Sequence, residues 1–480
     1  MRAALLLRPP PPPPAAGNLL SAASGRPPPP LLLRARRMAA GPPPPSAAAA
    51  DFPAANVSGP VPDDGGARTR PRRRRSVAGV DQDELLDPGA LADPDSSFCD
   101  ISGVSFHHKV YSAAHHEEQQ DPASASGSGV GVPVVLLHGF GASLFSWSRV
   151  MRPLARAAGA KVLAFDRPAF GLTSRAAWSG SGPGGDNDDD TRPLNPYSMA
   201  FSAMATLAFV DLLGAGKAVL IGHSAGCLVA VDACLEAPER VAALVLVAPA
   251  IFAPGSGTKG ERREDGEEGQ EKKDSDDDSN GPPLNPFARI WRGFLGMCMW
   301  IAGLVLKVVM AVQDVVRALA VQALVALLRS PLGAIMVRLV MDKFGVMAVR
   351  NAWYDPSKVT DHVIQGYTKP LRSRGWERAL LEHAISMITD SAPKSRLPVS
   401  KRLSEISCPV LVVTGDTDRL VPAWNAERVA RAIPGAVFEV IKNCGHLPHE
   451  EKPEEFLSIV EGFLRRAFGT PDEQVLQAAV

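Results

Sequence analysis

The sequence Gly-His-Ser-Ala-Gly at residues 222–226 decides the fold of this chain. It follows a short apolar run of strand length, Ala218–Ile221, and precedes a run typical of a helix, Cys227–Leu235, which Pro238 ends. A Gly-x-Ser-x-Gly sequence between a strand and a helix predicts a sharp turn that lifts the serine out of the top of a sheet. Ser224 is therefore a candidate nucleophile, provided that a base and a carboxylate lie beside it.

The motif by itself is weak, because a chain with 42 glycines can contain it by chance, as a glycine-rich turn with a solvated serine. Its surroundings support the functional interpretation. Further apolar runs of strand length occupy residues 132–137, 161–166, 409–414 and 436–441. We therefore predict an α/β fold in which a mostly parallel central sheet is flanked by helices.

Two of these strands deliver the residue types that a serine nucleophile needs. The strand at 409–414 leads into a loop with two acids, Asp416 and Asp418, and the last strand leads to Gly445 and His446. Active sites of parallel sheets lie at the carboxyl ends of the strands, so these loops are expected to meet near Ser224. We predict that His446 is the general base, with His449 as the alternative, and that the carboxylate of the aspartate loop orients it.

A second loop is expected to stabilise negative charge on the substrate. The apolar strand at 132–137 ends in His138-Gly139-Phe140, and the backbone N–H groups of Phe140 and Ala225 are predicted to form an oxyanion hole. Asp166 also follows a strand, but it precedes Ser224 in the chain. We therefore expect a structural role for Asp166.

Together these motifs resemble the α/β-hydrolase superfamily over roughly residues 98–468. The likeness is to the capped single-domain branch that includes ring-cleavage C–C hydrolases, haloperoxidase-like esterases and epoxide-hydrolase-like proteins, some of them plastid proteins. It implies an α/β-hydrolase fold with an inserted helical lid, and it favours Asp418, the fourth residue of its loop, as the catalytic acid. The sequence departs from the resemblance at Ala169, where glycine is usual. Serine in place of an aspartate nucleophile argues against epoxide hydrolysis and dehalogenation.

Charge is unevenly distributed along the chain. Lys and Arg balance Asp and Glu at 51 each, but residues 1–75 hold 12 Arg and 3 Asp, so that segment carries +9 and the remainder −9. An acidic remainder argues against a nucleic-acid partner. The first 50 residues contain six arginines, no acid and several proline runs, which predicts a plastid transit peptide, with a mitochondrial peptide or a simple disordered leader as alternatives.

The six cysteines show no metal-ligand or redox spacing, and we expect buried, reduced thiols, no metal and no cofactor. The chain is divided as follows: a leader at 1–75, a linker at 76–97, the first part of the core at 98–254, a disordered acidic loop at 255–283, a helical lid at 284–395, the second part of the core at 396–469 and a tail at 470–480.

The lid contains the most apolar stretch, residues 286–341. Within it Gly293–Val312 has a single charge, Lys307. Such a stretch is typical of a lid that also touches a membrane surface, of a fully buried lid, or of a membrane span. Trp353, Tyr354 and Trp376 are expected to line the mouth of the substrate site, with ordinary packing in the lid as the alternative.

These observations predict a serine hydrolase that cleaves a carboxylic ester of an apolar substrate, such as a lipid, pigment or isoprenoid ester, through an acyl-enzyme. The apolar lid motivates the substrate class. Peripheral membrane contact through 286–341 is the one macromolecular interaction indicated. The alternatives are a small-ligand receptor with slow turnover, of the strigolactone or karrikin type, and an acyltransferase that uses the same three residues.

Overall fold

The computed structural model describes residues 75–112, 130–175, 194–252, 286–389 and 397–469. The predicted leader (apart from Arg75), the acidic loop at 255–283 and the tail at 470–480 lie outside these ranges.

The core is one sheet of eight strands. The strands of the described residues are β1 (Ser76–Val77), β2 (Val80–Asp81), β3 (Ser97–Ile101), β4 (Val104–Tyr111), β5 (Val134–Leu137), β6 (Val162–Phe165), β7 (Ala218–His223), β8 (Val241–Val247), β9 (Val410–Gly415) and β10 (Val437–Ile441). The sheet order is β10-β9-β8-β7-β5-β6-β4-β3, and β1 pairs with β2 in a separate hairpin. Only the pairs β3–β4 and β4–β6 of this sheet are antiparallel. The predicted, mostly parallel sheet is confirmed.

Helices cover both faces of this sheet. The α-helices of the described residues are α1 (Pro88–Leu91), α2 (Met151–Ala158), α3 (Met199–Leu212), α4 (Ala225–Glu236), α5 (Pro286–Arg329), α6 (Pro331–Ala352), α7 (Asp361–Thr368), α8 (Trp376–Thr389), α9 (Ala423–Arg431), α10 (Pro448–Glu451) and α11 (Pro453–Phe468). Strands β5 and β8 are apolar at every position because both faces of the sheet are buried there. Helices α3, α4 and α9 pack on one face, and α2 and α11 on the other.

Helices α5 to α8 are inserted between β8 and β9, at the place where the sequence predicts a lid, and we call this insertion the lid. Helix α8 packs against both α5 and α6. Two ion pairs join these helices: Arg329 donates to both carboxylate oxygens of Glu382 at 3.0 Å, and Nε of Arg338 donates to Glu377 at 2.9 Å. Both carboxylates are buried, so these contacts fix α8 under the two longer helices.

The segment at 76–97 differs from the linker that the sequence predicts. Val77 is buried against Leu371 and Trp376 of the lid. Nε1 of Trp376 donates to Oε1 of Gln82 at 3.0 Å, and the backbone N–H of Ala78 donates to Asp342 at 2.9 Å. The segment is therefore a strap that ties the lid to the beginning of the core. Its polar composition conceals this role because backbone groups make much of the contact.

The outer part of the lid is exposed, which contradicts the alternative of a fully buried lid. One helical stretch of the described residues, Val309–Arg329, is long and apolar enough to cross a membrane. Its mean hydropathy is 1.7, and no residue of its most apolar part is buried. The side chains of residues 311–320 are all exposed. These ten residues include Gln313, Asp314 and Arg317, but water is an unfavourable surrounding for the exposed Val and Leu side chains among them.

Candidate active site

Ser224 lies at the turn between β7 and α4, with φ 52° and ψ −116°. This left-handed conformation is costly for a side chain with a Cβ atom, and such strain is common at catalytic nucleophiles. The two glycines of the motif make the turn possible. A Cβ atom on Gly222 would lie 2.7 Å from the carbonyl oxygen of Gly226, and one on Gly226 would lie 2.3 Å from the carbonyl oxygen of Leu137. The serine therefore directly precedes α4, whose first turn lies against the end of β5.

His446 and Asp418 form a hydrogen-bonded pair. Nδ1 of His446 donates to Oδ2 of Asp418 at 2.7 Å, and both residues are buried, at 5 % and 6 % exposure. The other carboxylate oxygen of Asp418 accepts hydrogen bonds from the backbone N–H groups of Leu420 and Val421, each at 2.8 Å. These bonds hold the carboxylate in place, and they leave Nε2 as the nitrogen of His446 that is free to act as a base.

Close backbone approaches bring the aspartate and histidine loops together. A Cβ atom on Gly415 would lie 2.2 Å from the carbonyl oxygen of Gly445, so only glycine fits at the end of β9. The carbonyl oxygen of His446 accepts a hydrogen bond from Nε2 of His223 at 2.9 Å, and the rings of these two histidines are 4.8 Å apart. Since His223 directly precedes Ser224, the histidine loop lies beside the serine turn. Ser224 and His446 line the same cavity.

The predicted oxyanion groups lie on either side of this turn. Ala225 is the first residue of α4, where a backbone N–H has no acceptor within the helix. The loop after β5 runs against the serine, since a Cβ atom on Gly139 would lie 3.1 Å from Cβ of Ser224. Phe140 follows and lines the cavity. The structure thus places both predicted donors next to Ser224.

The cavity above Ser224 has a volume of about 330 Å³ and walls that are mostly apolar. Its walls are built largely by the lid, with Met341, Val346 and Val349 of α6 and, after it, Tyr367 and Leu371. Sequence analysis missed these residues. Met341, Gly345 and Val349 follow a four-residue spacing that places them on one side of α6, but α6 is apolar around most of its circumference, so this spacing does not single them out in the sequence.

Trp353, Tyr354 and Trp376, predicted to line the substrate site, do not line this cavity. Trp353 is buried in a separate cluster of the lid with Val359 and Val363. Trp376 packs on the strap, where its indole N–H finds an acceptor in Gln82, and Tyr354 lies at the surface beyond the end of α6. The alternative of ordinary packing in the lid holds for both tryptophans, because their large apolar rings fill the joints of the lid.

The other candidate residues have structural surroundings. Asp166 is buried and accepts hydrogen bonds from Nδ1 of His107 and from the backbone N–H groups of Leu144 and Leu172, each at 2.7 Å. These bonds keep the pKa of Asp166 low even though burial acts to raise it. His449 is stacked on Trp147 at 4.2 Å, and burial lowers its pKa to about 3. Neither residue lines the cavity that contains Ser224.

With this geometry established, comparison with known proteins identifies the family. The profile of the alpha/beta hydrolase family matches residues 134–459, which is more than half of the chain and includes Ser224, Asp418 and His446. The chain belongs to the alpha/beta hydrolase family. Its curated relatives are named hydrolases, and this chain is likewise a hydrolase of that family.

Two of these relatives, both from bacteria, show the degree of similarity. A 2-hydroxy-6-oxononadienedioate/2-hydroxy-6-oxononatrienedioate hydrolase of Burkholderia vietnamiensis is 27 % identical over 336 residues, which cover 69 % of this chain and 87 % of the relative. A 2-hydroxy-6-oxo-6-phenylhexa-2,4-dienoate hydrolase of Comamonas testosteroni is 23 % identical over 343 residues, covering 71 % and 90 %.

The chain also superposes on solved structures. Cfl2 of Burkholderia cenocepacia superposes with a TM-score of 0.48 at 20 % identity, over 78 % of this chain and 98 % of that chain. A thermophilic esterase of Thermogutta terrifontis gives 0.45 at 19 % identity, over 76 % and 94 %.

Proposed function

We propose that this hydrolase cleaves a neutral, apolar carboxylic ester through an acyl-enzyme on Ser224. One observation carries the proposal: His446, which is hydrogen-bonded to Asp418, lines the same apolar cavity as Ser224. A serine hydroxyl becomes a nucleophile when a neutral imidazole accepts its proton and a carboxylate stabilises the imidazolium that forms.

The reaction follows from these positions. Oγ of Ser224 attacks the ester carbonyl carbon while Nε2 of His446 takes the hydroxyl proton. The tetrahedral intermediate collapses, and His446 returns that proton to the departing alcohol. Water, deprotonated by His446, then attacks the acyl-enzyme and releases the acid and the free serine. The backbone N–H groups of Phe140 and Ala225 hold the oxyanion in both halves, each donor contributing about 3 kcal/mol to the barrier reduction.

The walls of the cavity support a neutral substrate. None of the described residues that line it is Lys, Arg, Asp or Glu. The Burkholderia vietnamiensis relative is named for a dicarboxylate, an anion that needs positively charged partners when it leaves water. The walls of this cavity favour an ester whose acyl or alcohol part is a hydrocarbon, such as a lipid, pigment or isoprenoid ester.

Two variants and a probe test the proposal. A fluorophosphonate should label the wild-type chain on Ser224, and Ser224→Ala should abolish both labelling and hydrolysis of a medium-chain ester while circular dichroism is unchanged. Asp418→Asn should lower kcat on the order of 10⁴-fold. Asp416→Asn is the matched control from the same loop and should retain activity. Undiminished ester hydrolysis by Ser224→Ala would refute the mechanism.

The same assay separates the alternative functions. Tight ligand binding with negligible turnover indicates a receptor, and formation of a new ester when a competing alcohol is present indicates an acyltransferase. Placement in a plastid stays a prediction from residues 1–75. Its test is the localisation of a fluorescent protein fused to that segment.

A further inference from the structure

The lid has a large apolar surface that faces away from the catalytic core. We call it the outer lid face and define it by six exposed side chains: Val316, Leu319 and Leu327 of α5, and Leu332, Ile335 and Leu339 of α6. Their exposure ranges from 42 % at Leu327 to 60 % at Val316. Single exposed apolar residues are ordinary, but a set of them on two long helices that contact each other indicates an interaction surface.

The charge of these helices narrows the choice of partner. Residues 286–352 contain eight Lys or Arg and two Asp; because Arg329 and Arg338 are paired with Glu382 and Glu377, six basic and two acidic residues remain, a net charge of 6 − 2 = +4 in a chain whose total is zero. Lys307, Arg317, Lys343 and Arg350 are exposed along α5 and α6. An apolar helical face bordered by exposed basic side chains complements a lipid surface with anionic headgroups. A second copy would bring like charges together across the contact, which opposes docking of two such faces.

Helix α6 connects this surface to the active site. Leu332, Met336 and Leu339, in the first part of α6, are exposed, whereas Met341, Gly345 and Ala352, further along the helix, line the cavity. The same helix therefore contributes both exposed apolar side chains and part of the wall of the catalytic cavity.

The packing of α5 argues for docking on the membrane rather than spanning it. Arg329, at the end of the stretch that could span, is paired with Glu382 of α8. Helix α8 is bound to the core and the strap, since Nδ1 of His383 donates to the carbonyl oxygen of Tyr197 at 3.0 Å and Trp376 donates to Gln82. A spanning helix would have to leave these partners behind.

We propose that the outer lid face inserts into the interfacial region of an anionic lipid bilayer and that apolar esters reach Ser224 from that leaflet around α6. The docking stands on the surface alone, whereas the delivery of substrate rests on the proposed function. The lipid is recognised by its hydrocarbon and its negative headgroup charge, without a pocket for a particular lipid.

Sedimentation with vesicles tests the docking. The full chain should sediment with vesicles of phosphatidylcholine and phosphatidylglycerol, bind pure phosphatidylcholine less well, and be released by alkaline carbonate. Leu319→Ser with Leu339→Ser should weaken partitioning by roughly tenfold for each side chain. Trp424→Ser, an exposed apolar residue on α9, is the matched control and should bind like the wild type.

Several results would overturn the proposal. The wild type would fail to bind anionic vesicles, or the double variant would bind as well as the wild type. Bound protein would resist alkaline carbonate, as a membrane-spanning helix does. Light scattering would show a dimer of the wild type that the double variant does not form. Circular dichroism shows whether the double variant is folded, and single Leu319→Ser and Leu339→Ser variants replace it if it is not.

The two proposals fail separately. The double variant should keep fluorophosphonate labelling of Ser224 and hydrolysis of a short, water-soluble ester, because neither leucine lines the cavity. It should lose turnover of an ester embedded in vesicles in proportion to its lost binding. An unlabelled wild-type chain that still binds vesicles contradicts the proposed function and leaves the docking intact.

Discussion

The carboxylate of Glu451 joins the catalytic histidine loop to the lid through Gly445 and Tyr354. Oε1 accepts a hydrogen bond from the backbone N–H of Gly445 at 2.9 Å, and Oε2 accepts one from the backbone N–H of Tyr354 at 2.7 Å. Gly445 directly precedes His446, whose own N–H donates to the carbonyl oxygen of Ala352 at 2.7 Å. The position of the base is therefore set partly by the end of α6.

Replacing this carboxylate should disturb catalysis through His446 without removing any group that touches the substrate. Glu451→Ala leaves backbone donors without their acceptor, which should cost about 1–3 kcal/mol of stability and lower kcat more than it raises KM. Glu454→Gln, an exposed acid in the first turn of α11, is the control and should change neither. Wild-type kcat in a folded Glu451→Ala chain would show that the loop holds its position unaided.

The space around Gly139 gives a second prediction. A Cβ atom there would lie 2.9 Å from Nδ1 of His223 and 3.1 Å from Cβ of Ser224. Gly139→Ala should push the oxyanion loop away from the serine and lower kcat by about 10²-fold, the effect of losing one donor. Gly216→Ala, at a glycine with open space around it, should leave kcat unchanged. Rates measured on one soluble ester, with fluorophosphonate labelling in parallel, compare the two variants.

Ala169 has a left-handed backbone conformation, with φ 77°. A Cβ atom in this region costs roughly 1–2 kcal/mol, partly offset by about 0.8 kcal/mol from its buried methyl group. Ala169→Gly should therefore raise the free energy of unfolding by up to about 1 kcal/mol, and Ala169→Val should lower it. At Ala200, exposed in helix α3, Ala→Gly should be the destabilising change. The same order of stabilities at both positions, in thermal or urea unfolding, would contradict this account of Ala169.

These examples show which parts of the molecule follow from sequence. Buried parallel strands are recognisable in the sequence as short apolar runs. The residue after each run lies at the carboxyl edge of the sheet, where the loops that carry the site meet. Ser224 and the loops of Asp418 and His446 could therefore be placed before any coordinates. The left-handed Ala169 was also foreseeable, because glycine is usual at that place in the family.

The lid could be predicted only as apolar helices. Helix α6 is apolar around most of its circumference, so the hydrophobic period does not distinguish Met341, which faces the cavity, from Leu339, which faces outward. The strap is held by packing between residues far apart in the chain, such as Val77 against Trp376. A local sequence pattern does not predict such a contact. Trp353 and Tyr354 were predicted to line the substrate site because they are aromatic, whereas aliphatic side chains line much of the cavity.

We expect Glu450 to make the stability of the folded chain depend on pH. It is buried behind the cavity, and its Oε1 accepts a hydrogen bond from the hydroxyl of Tyr367. Burial raises the pKa of Glu450 to about 8, because the charged form loses its hydration. Between the unfolded pKa near 4.5 and the folded pKa near 8, the folded chain holds a proton that the unfolded chain has lost. In that window this group makes stability fall as pH rises, by up to about 1.4 kcal/mol per pH unit.

Glu450→Gln keeps an oxygen for the Tyr367 hydroxyl and removes the titration. The stability of this variant should therefore change less between pH 5 and pH 8, roughly the window of the two pKa values, and should gain on the wild type as pH rises. Urea unfolding of both chains across this window measures the difference, with Glu454→Gln as an exposed control that should follow the wild type. Parallel wild-type and Glu450→Gln curves would mean that Glu450 is ionised in the folded chain. Its charge would then have to be stabilised by Arg149, whose guanidinium donates to the carbonyl oxygen of the same residue at 2.8 Å.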